Sequence, residues 1–212
     1  ALIDRLYAPH QAMMSERLTT AEELLFQRGN FDGSTDRMLC EALRDQLGAD
    51  ISLSPGFRWG TTLLPGQAIT REWLMDMTAT TYSYATVSEM TGETIKTILE
   101  DVCDNLFNPD PYYQQGGDMV RVGGLEYVCR PNEKMGNRIG EMRLKGKLID
   151  ANKKYKVAGW APVSEDAKNQ NLKQMWEVAE QWLKASGGKV SKRKLNTPKL
   201  EGVLPNPGFA AV

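Results

Sequence analysis

The clearest pattern of apolar and polar positions lies over residues 92–107. Ile95, Ile98, Leu99, Val102, Cys103 and Leu106 recur at helical spacing, and Asn108-Pro109-Asp110-Pro111 follows as a stop. This stretch predicts an amphipathic helix. A second stripe, Met38, Leu39, Ala42, Leu43 and Leu47, predicts a helix over about 35–47, with Ser34 or Thr35 as its cap and Gly48 as its end. A third, Leu172, Met175, Trp176, Ala179, Trp182 and Leu183, predicts a last helix over about 169–185, closed by Gly187-Gly188. Thr70 caps a short helix over 71–77. Residues 3–18 predict a linker helix with Pro9 in its middle.

Strand patterns lie between these helices. Glu23–Gln27, Ile51–Leu53 and Tyr82–Met90 each predict a strand, and a strand-rich part follows at about 118–122, 125–129, 139–144 and 154–159. Gly123-Gly124, Pro131-Asn132 and Gly146 break that part. The mixture predicts an α+β (mixed α/β) fold with one main core. The expected organisation is a linker helix over 1–18, one domain over 19–188, and a tail over 189–212. In the tail, Lys189, Lys192, Arg193, Lys194 and Lys199 are basic, while Pro198, Pro205 and Pro207 resist regular structure, so a solvated surface strap is expected.

Composition narrows the function. The 212 residues are 41% apolar and 25% charged, ordinary for a globular chain. A net charge of −1 argues against a general nucleic-acid binder. No apolar run approaches the roughly 20 residues of a membrane span, and neither nucleic acid nor membrane is an expected partner. The chain begins at Ala1 rather than Met, which fits a processed product or a cut fragment. Cys40, Cys103 and Cys129 lack metal-type spacing, and Cys40 and Cys103 fall on apolar helix positions where buried thiols are the default. His10 is the single histidine. A His-rich dinuclear metal site cannot be built from one imidazole, and complete catalytic machinery is not expected in this chain.

The stretch most suggestive of binding is Ser54-Pro55-Gly56-Phe57-Arg58-Trp59-Gly60. Pro55 ends the preceding strand because it has no N–H to donate. An Arg beside a Gly-rich bend suits an anion held by a planar fork of donors. Taken alone, the seven residues favour a tight turn with a solvated Arg. Trp59, Tyr82 and Tyr84 are candidates for a pocket wall, with Tyr82 and Tyr84 on one side of a strand by the period-two rule. Core packing is the competing role for them. The carboxylates Asp32, Asp36, Asp101 and Asp104 carry no signal of burial and are expected as solvated charges.

The order of motifs resembles the C-terminal domain of the 5′-nucleotidase family over about residues 24–160. The matching pieces are the Arg bend Ser54 to Gly60, Gly66-Gln67-Ala68-Ile69-Thr70, and Met90-Thr91-Gly92-Glu93 through Leu99-Glu100. After them come Gly117 to Gly124, Gly136-Asn137-Arg138-Ile139 and Lys154-Tyr155-Lys156-Val157. Nucleotidases of the family sandwich a base between two aromatics. Here those regions read Thr80-Thr81-Tyr82-Ser83-Tyr84-Ala85 and Ala158-Gly159-Trp160-Ala161-Pro162-Val163-Ser164, without the family's Pro-Phe-x-Asn and Gly-Gly-Asp-Gly wording. The departure implies a charged oxyanion ligand without a nucleobase.

Arg28-Gly29-Asn30-Phe31, the Arg58 bend and Gln114-Gln115-Gly116-Gly117-Asp118-Met119-Val120-Arg121 resemble the SoxB thiosulfohydrolases. That resemblance implies a periplasmic enzyme of sulfur oxidation that releases sulfate from a cysteine S-thiosulfonate on the SoxYZ carrier protein. It also implies an N-terminal metallophosphoesterase domain with two manganese ions, absent from this chain. It assigns substrate binding to Arg58, with Arg28 as the second anion-binding arginine and Asn30 as a further donor. Trp59, Tyr82 and Tyr84 would wall the channel. A nucleotidase or nucleotide-sugar hydrolase domain, and a non-catalytic carrier-docking module, are the alternatives.

Overall fold

A computed structural model describes residues 1–57, 59–162, 172–185, 189–190 and 198–203. The N-terminal segment is not one helix. Pro9 interrupts the backbone ladder, leaving α1 (Leu2–Tyr7) and α2 (Gln11–Met14), and the chain then enters β1 (Arg17–Ala21). The segment expected as a strand at 23–27 makes only an isolated bridge, Leu25 to Leu63.

α3 (Ser34–Leu47) buries Met38, Leu39, Ala42 and Leu43, as its stripe requires, and ends at Gly48. Its cap differs from expectation. Gly33 is the N-cap, and the Ser34 hydroxyl instead donates to the Leu24 carbonyl and accepts from the Phe26 amide. β2 (Ile51–Ser54), β3 (Ala68–Thr70) and α4 (Arg71–Met77) follow, and the Thr70 hydroxyl caps α4 by accepting from the Trp73 amide. β4 spans Ala85–Thr91, so Tyr82 and Tyr84 precede the strand rather than lie in it. α5 (Gly92–Phe107) is capped by the Thr91 hydroxyl and buries Ile95, Leu99 and Cys103. Next come β5 (Arg121–Gly123), β6 (Leu125–Cys129), β7 (Ile139–Leu144), β8 (Lys147–Leu148), β9 (Lys154–Trp160) and α6 (Met175–Ala185). The start of the expected 169–185 helix lies outside the described residues.

Two described pieces of the basic tail pair as strands, while Lys192, Arg193, Lys194, Pro205 and Pro207 lie outside the described residues. β10 (Lys189–Val190) pairs in parallel with β1, and β11 (Lys199–Leu200) pairs in parallel with β6. Arg130 holds Glu201 at 2.9 Å beside that second pairing.

The sheet that organises the domain has the order β4-β9-β2-β5. β2 and β9 are parallel, and β4 and β5 are antiparallel to them. β9 alternates across it. Ala158 and Trp160 pack with α3, α4 and α6, and Tyr155 and Val157 pack with α5 and the β6–β7 hairpin. Each fully buried Leu or Ile in these two cores contributes about 1.5–3 kcal/mol of burial free energy. Among the described residues no helix is long and apolar enough to cross a membrane.

Candidate functional site

The sheet register brings the ends of β2 and β9 and the starts of β4 and β5 to one end of the sheet. Ser54 at the end of β2 pairs with Arg121 at the start of β5, and Trp160 at the end of β9 pairs with Ala85 at the start of β4. The bend after β2, the turn before β4 and the loop before β5 therefore open on one edge. Crevices outside the carboxyl ends of parallel strands are a recurrent place for ligands.

The residues holding this edge together escaped sequence reading. Arg121 has a fully buried side chain and uses every N–H of its guanidinium. Nε donates to Asp36 Oδ2 at 3.3 Å. Nη1 donates to the carbonyls of Asn30 at 3.2 Å and Met119 at 2.8 Å. Nη2 donates to the Gln27 carbonyl at 2.9 Å and to Asp118 Oδ2 at 3.2 Å. Asp118 Oδ2 also accepts from the Gly29 amide at 3.3 Å, and the Met119 amide donates to the Asn30 carbonyl at 2.8 Å. Arg28 and Asn30 are exposed on the loop that these bonds fix. The available signal was the Asp118-Met119-Val120-Arg121 spacing, but charged letters in a Gly-rich loop look like surface.

Asp36 and Asp104 depart from the solvated state expected of them. Asp36 sits in the first turn of α3, fully buried, and accepts from the Ser54 hydroxyl at 3.0 Å. Burial pushes its carboxyl up to about 7, although Arg121 and Ser54 pull the other way. Asp104 pairs with the buried Arg138, which holds its carboxyl below the usual range, helped by the Asn108 amide. The Gly136-Asn137-Arg138 motif is thereby structural. Glu100 accepts from the backbone amides of Gly136, Arg138 and Ile139 at 2.7, 3.3 and 2.7 Å.

Ser54 links this clamp to the aromatic wall. The Trp160 indole N–H donates to Ser54 Oγ at 2.8 Å, and Phe57 packs edge-on against Trp160 with centroids 5.4 Å apart. Trp59 stacks on Phe57 at 3.9 Å and stays 40% exposed. Tyr84 bridges to Gln174, and the Ser83 carbonyl accepts from the Met175 amide, so α6 anchors the half-buried Tyr82–Tyr84 segment. Arg58, between Phe57 and Trp59, lies outside the described residues.

Two glycines shape the bend. A Cβ on Gly56 would stand 2.8 Å from both Asp118 Cβ and the Met119 carbonyl. Gly60 has φ +101°, and a Cβ there would meet Met77 Cε at 2.1 Å. The bend can lie this close to the β5 loop only with glycine at position 56.

Exposed donors on the 28–30 loop and an aromatic face stand on a rigid support. Among the described residues no group of three or more His, Cys, Asp or Glu side chains converges as a metal site.

Known proteins carry the same arrangement of elements. Sulfate thiohydrolase SoxB of Thermus thermophilus superposes with a TM-score of 0.85 at 34% identity, over 95% of this chain and 38% of that one. A 5′-nucleotidase precursor, also of Thermus thermophilus, superposes with a TM-score of 0.73 at 15% identity, over 95% of this chain and 43% of that one. The trifunctional nucleotide phosphoesterase protein YfkN of Bacillus subtilis is 28% identical over 190 residues, 82% of this chain and 12% of that protein. All three bear the names of hydrolases, and the chain spans less than half the length of each. The family description 5′-nucleotidase, C-terminal domain, matches residues 19–173, and the chain belongs to that family.

Proposed function

We propose that this chain is the substrate-binding C-terminal domain of a two-domain thiosulfohydrolase of the SoxB kind. The substrate is a cysteine S-thiosulfonate on a SoxYZ-like carrier protein in the periplasm, and the product is sulfate. The observation that carries this reading is the likeness to SoxB, at more than twice the identity found with the nucleotidase structure. In the full-length protein a preceding metallophosphoesterase domain would hold two manganese ions and supply the attacking water. The role of this chain is to bind and orient. Arg58 and Arg28 would grip sulfonate oxygens, Asn30 would add a donor, and Trp59, Tyr82 and Tyr84 would line the channel for the carrier's arm.

A nucleotidase reading draws on YfkN and on the family as a whole. Trp160 weighs against it. That ring is 4% exposed and is committed to Ser54 and Phe57, so it offers no free face to a base. The test uses the full-length protein with manganese. Sulfate release from thiosulfonated carrier is measured beside phosphate release from AMP. Sulfate release without phosphate release is expected. Phosphate release at the higher kcat/KM would establish the nucleotidase reading instead, and loss of neither product on removing the metal domain would leave the dimetal assignment without support.

A further inference from the structure

Two thiols that the site does not use face each other inside the second core. Cys103 projects from α5 and Cys129 from the end of β6, with their sulfurs 3.6 Å apart. Both are completely buried, packed with Leu99, Tyr127 and Ile139. Closing them to a bonded distance of about 2.05 Å asks for a movement of roughly 1.5 Å.

We propose that Cys103 and Cys129 are the two halves of an intramolecular disulfide that staples α5 to β6. The reaction is thiol–disulfide exchange with a small or protein disulfide as oxidant. One thiolate attacks the oxidant's disulfide and forms a mixed disulfide, expelling one thiol. The second thiolate then displaces the other. The pair loses two protons and two electrons, and the oxidant's disulfide becomes two thiols. Burial of both sulfurs makes the folding chain, or a local opening of α5, the state that reacts.

The position gives the bond a consequence. The two cysteines are 26 positions apart, and the segment between them contains Asp118, Met119 and Arg121, the clamp at the site. The same segment presents the 3-10 turn Pro111–Tyr113, whose Tyr112 and Tyr113 are exposed. A staple at both roots removes loop freedom from the unfolded chain. Cys40 is the internal control. It lies against the Arg121 carbonyl at 4.0 Å, and burial pushes its thiol up to about 12. The pairing holds whichever substrate the parent enzyme uses.

The full chain is treated with oxidised glutathione, once folded and once during refolding from denaturant. Thiols are counted by maleimide labelling after denaturation, and linked peptides are mapped by mass spectrometry. One remaining thiol, at Cys40, with a Cys103–Cys129 linked peptide, is expected. The thermal midpoint should rise by about 5–10 °C and fall back with reductant. The C103S/C129S variant should show no reductant dependence. If that variant fails to fold, peptide mapping of the unaltered chain still decides. Three labelled thiols after both treatments, a bridge that includes Cys40, or a bridged protein that melts lower would each overturn the proposal.

Discussion

Arg121 and Asp36 form an ion pair in which neither side chain is exposed, with Nε and Oδ2 3.3 Å apart. Such a pair is costly to desolvate, and its worth depends on how completely the remaining donors and acceptors are matched. Here they are matched by the carbonyls of Gln27, Asn30 and Met119, by Asp118 and by the Ser54 hydroxyl. The pair therefore joins three segments that are distant in sequence: the 27–30 loop, the bend after β2 and the root of β5.

Replacing Arg121 by Met removes the charge and every bond of its guanidinium while keeping most of the volume. Asp36 and Asp118 are then left buried without a cation. A loss of about 3–5 kcal/mol is expected, read from the midpoint of urea unfolding at constant m. A loss under about 1 kcal/mol would mean that the clamp is not a stability element.

Asp36 also sets a pH dependence. Its carboxyl is raised to about 7 in the folded chain from an ordinary value near 3.8, so the folded state holds the proton more tightly. Stability from this group is full below the unfolded pKa and falls as pH rises through about 7. Asp36→Asn should flatten the slope of stability between about pH 4 and 7. The check is a urea series at several pH values, and an unchanged slope would assign the dependence to another group.

Sequence patterning captured the long amphipathic elements because each carries its own periodic signal. α5 and α3 were legible for that reason, as were β6, β7 and β9. β1, β10 and β11 were not, because two to five residues of mixed character become strands only when a neighbour completes the ladder. The Arg58 bend stood out through its Gly, Pro and aromatic letters. Its support did not, since a buried Arg121 and Asp36 are spelled like surface charges, and only tertiary burial distinguishes them.

Arg71 and Glu180 tie α4 to α6, with two N–H···O contacts of 2.8 Å. Arg71 also donates to the Met13 carbonyl at 2.8 Å and reaches Glu16 at 2.7 Å, so the pair anchors the N-terminal segment. The Arg71 guanidinium, with help from Lys184, lowers the Glu180 carboxyl to about 2. Because the folded pKa is depressed, this stability is present above the unfolded value near 4.5 and is lost as pH falls toward 2. Glu180→Gln should cost about 2–3 kcal/mol at neutral pH and speed amide exchange over 11–16. Unchanged exchange there would detach the N-terminal segment from this pair.

Gly56→Ala tests the close approach of the bend to the β5 loop. The added methyl would meet Asp118 Cβ and the Met119 carbonyl at 2.8 Å, and one of these atoms is backbone. The strands must part or the bend must shift, at a cost of about 1–3 kcal/mol. If the full-length protein has the proposed activity, its kcat/KM should fall together with stability. A variant as stable and as active as the parent would show that the bend tolerates displacement.

Arg58→Ala should behave in the opposite way. Its neighbours Phe57 and Trp59 stack on each other at 3.9 Å, and Phe57 packs against Trp160. If Arg58 grips the sulfonate, full-length Arg58→Ala loses about 2–4 kcal/mol of transition-state stabilisation in kcat/KM on the thiosulfonated carrier, with an unchanged thermal midpoint. Arg58→Lys should recover only part of that loss, because an ammonium cannot present two parallel donors to one oxyanion. The contrast with Arg121→Met separates gripping from support: one variant loses rate, the other loses fold. Full turnover by Arg58→Ala would remove this residue from the proposed site and leave Arg28 as the remaining cation to test.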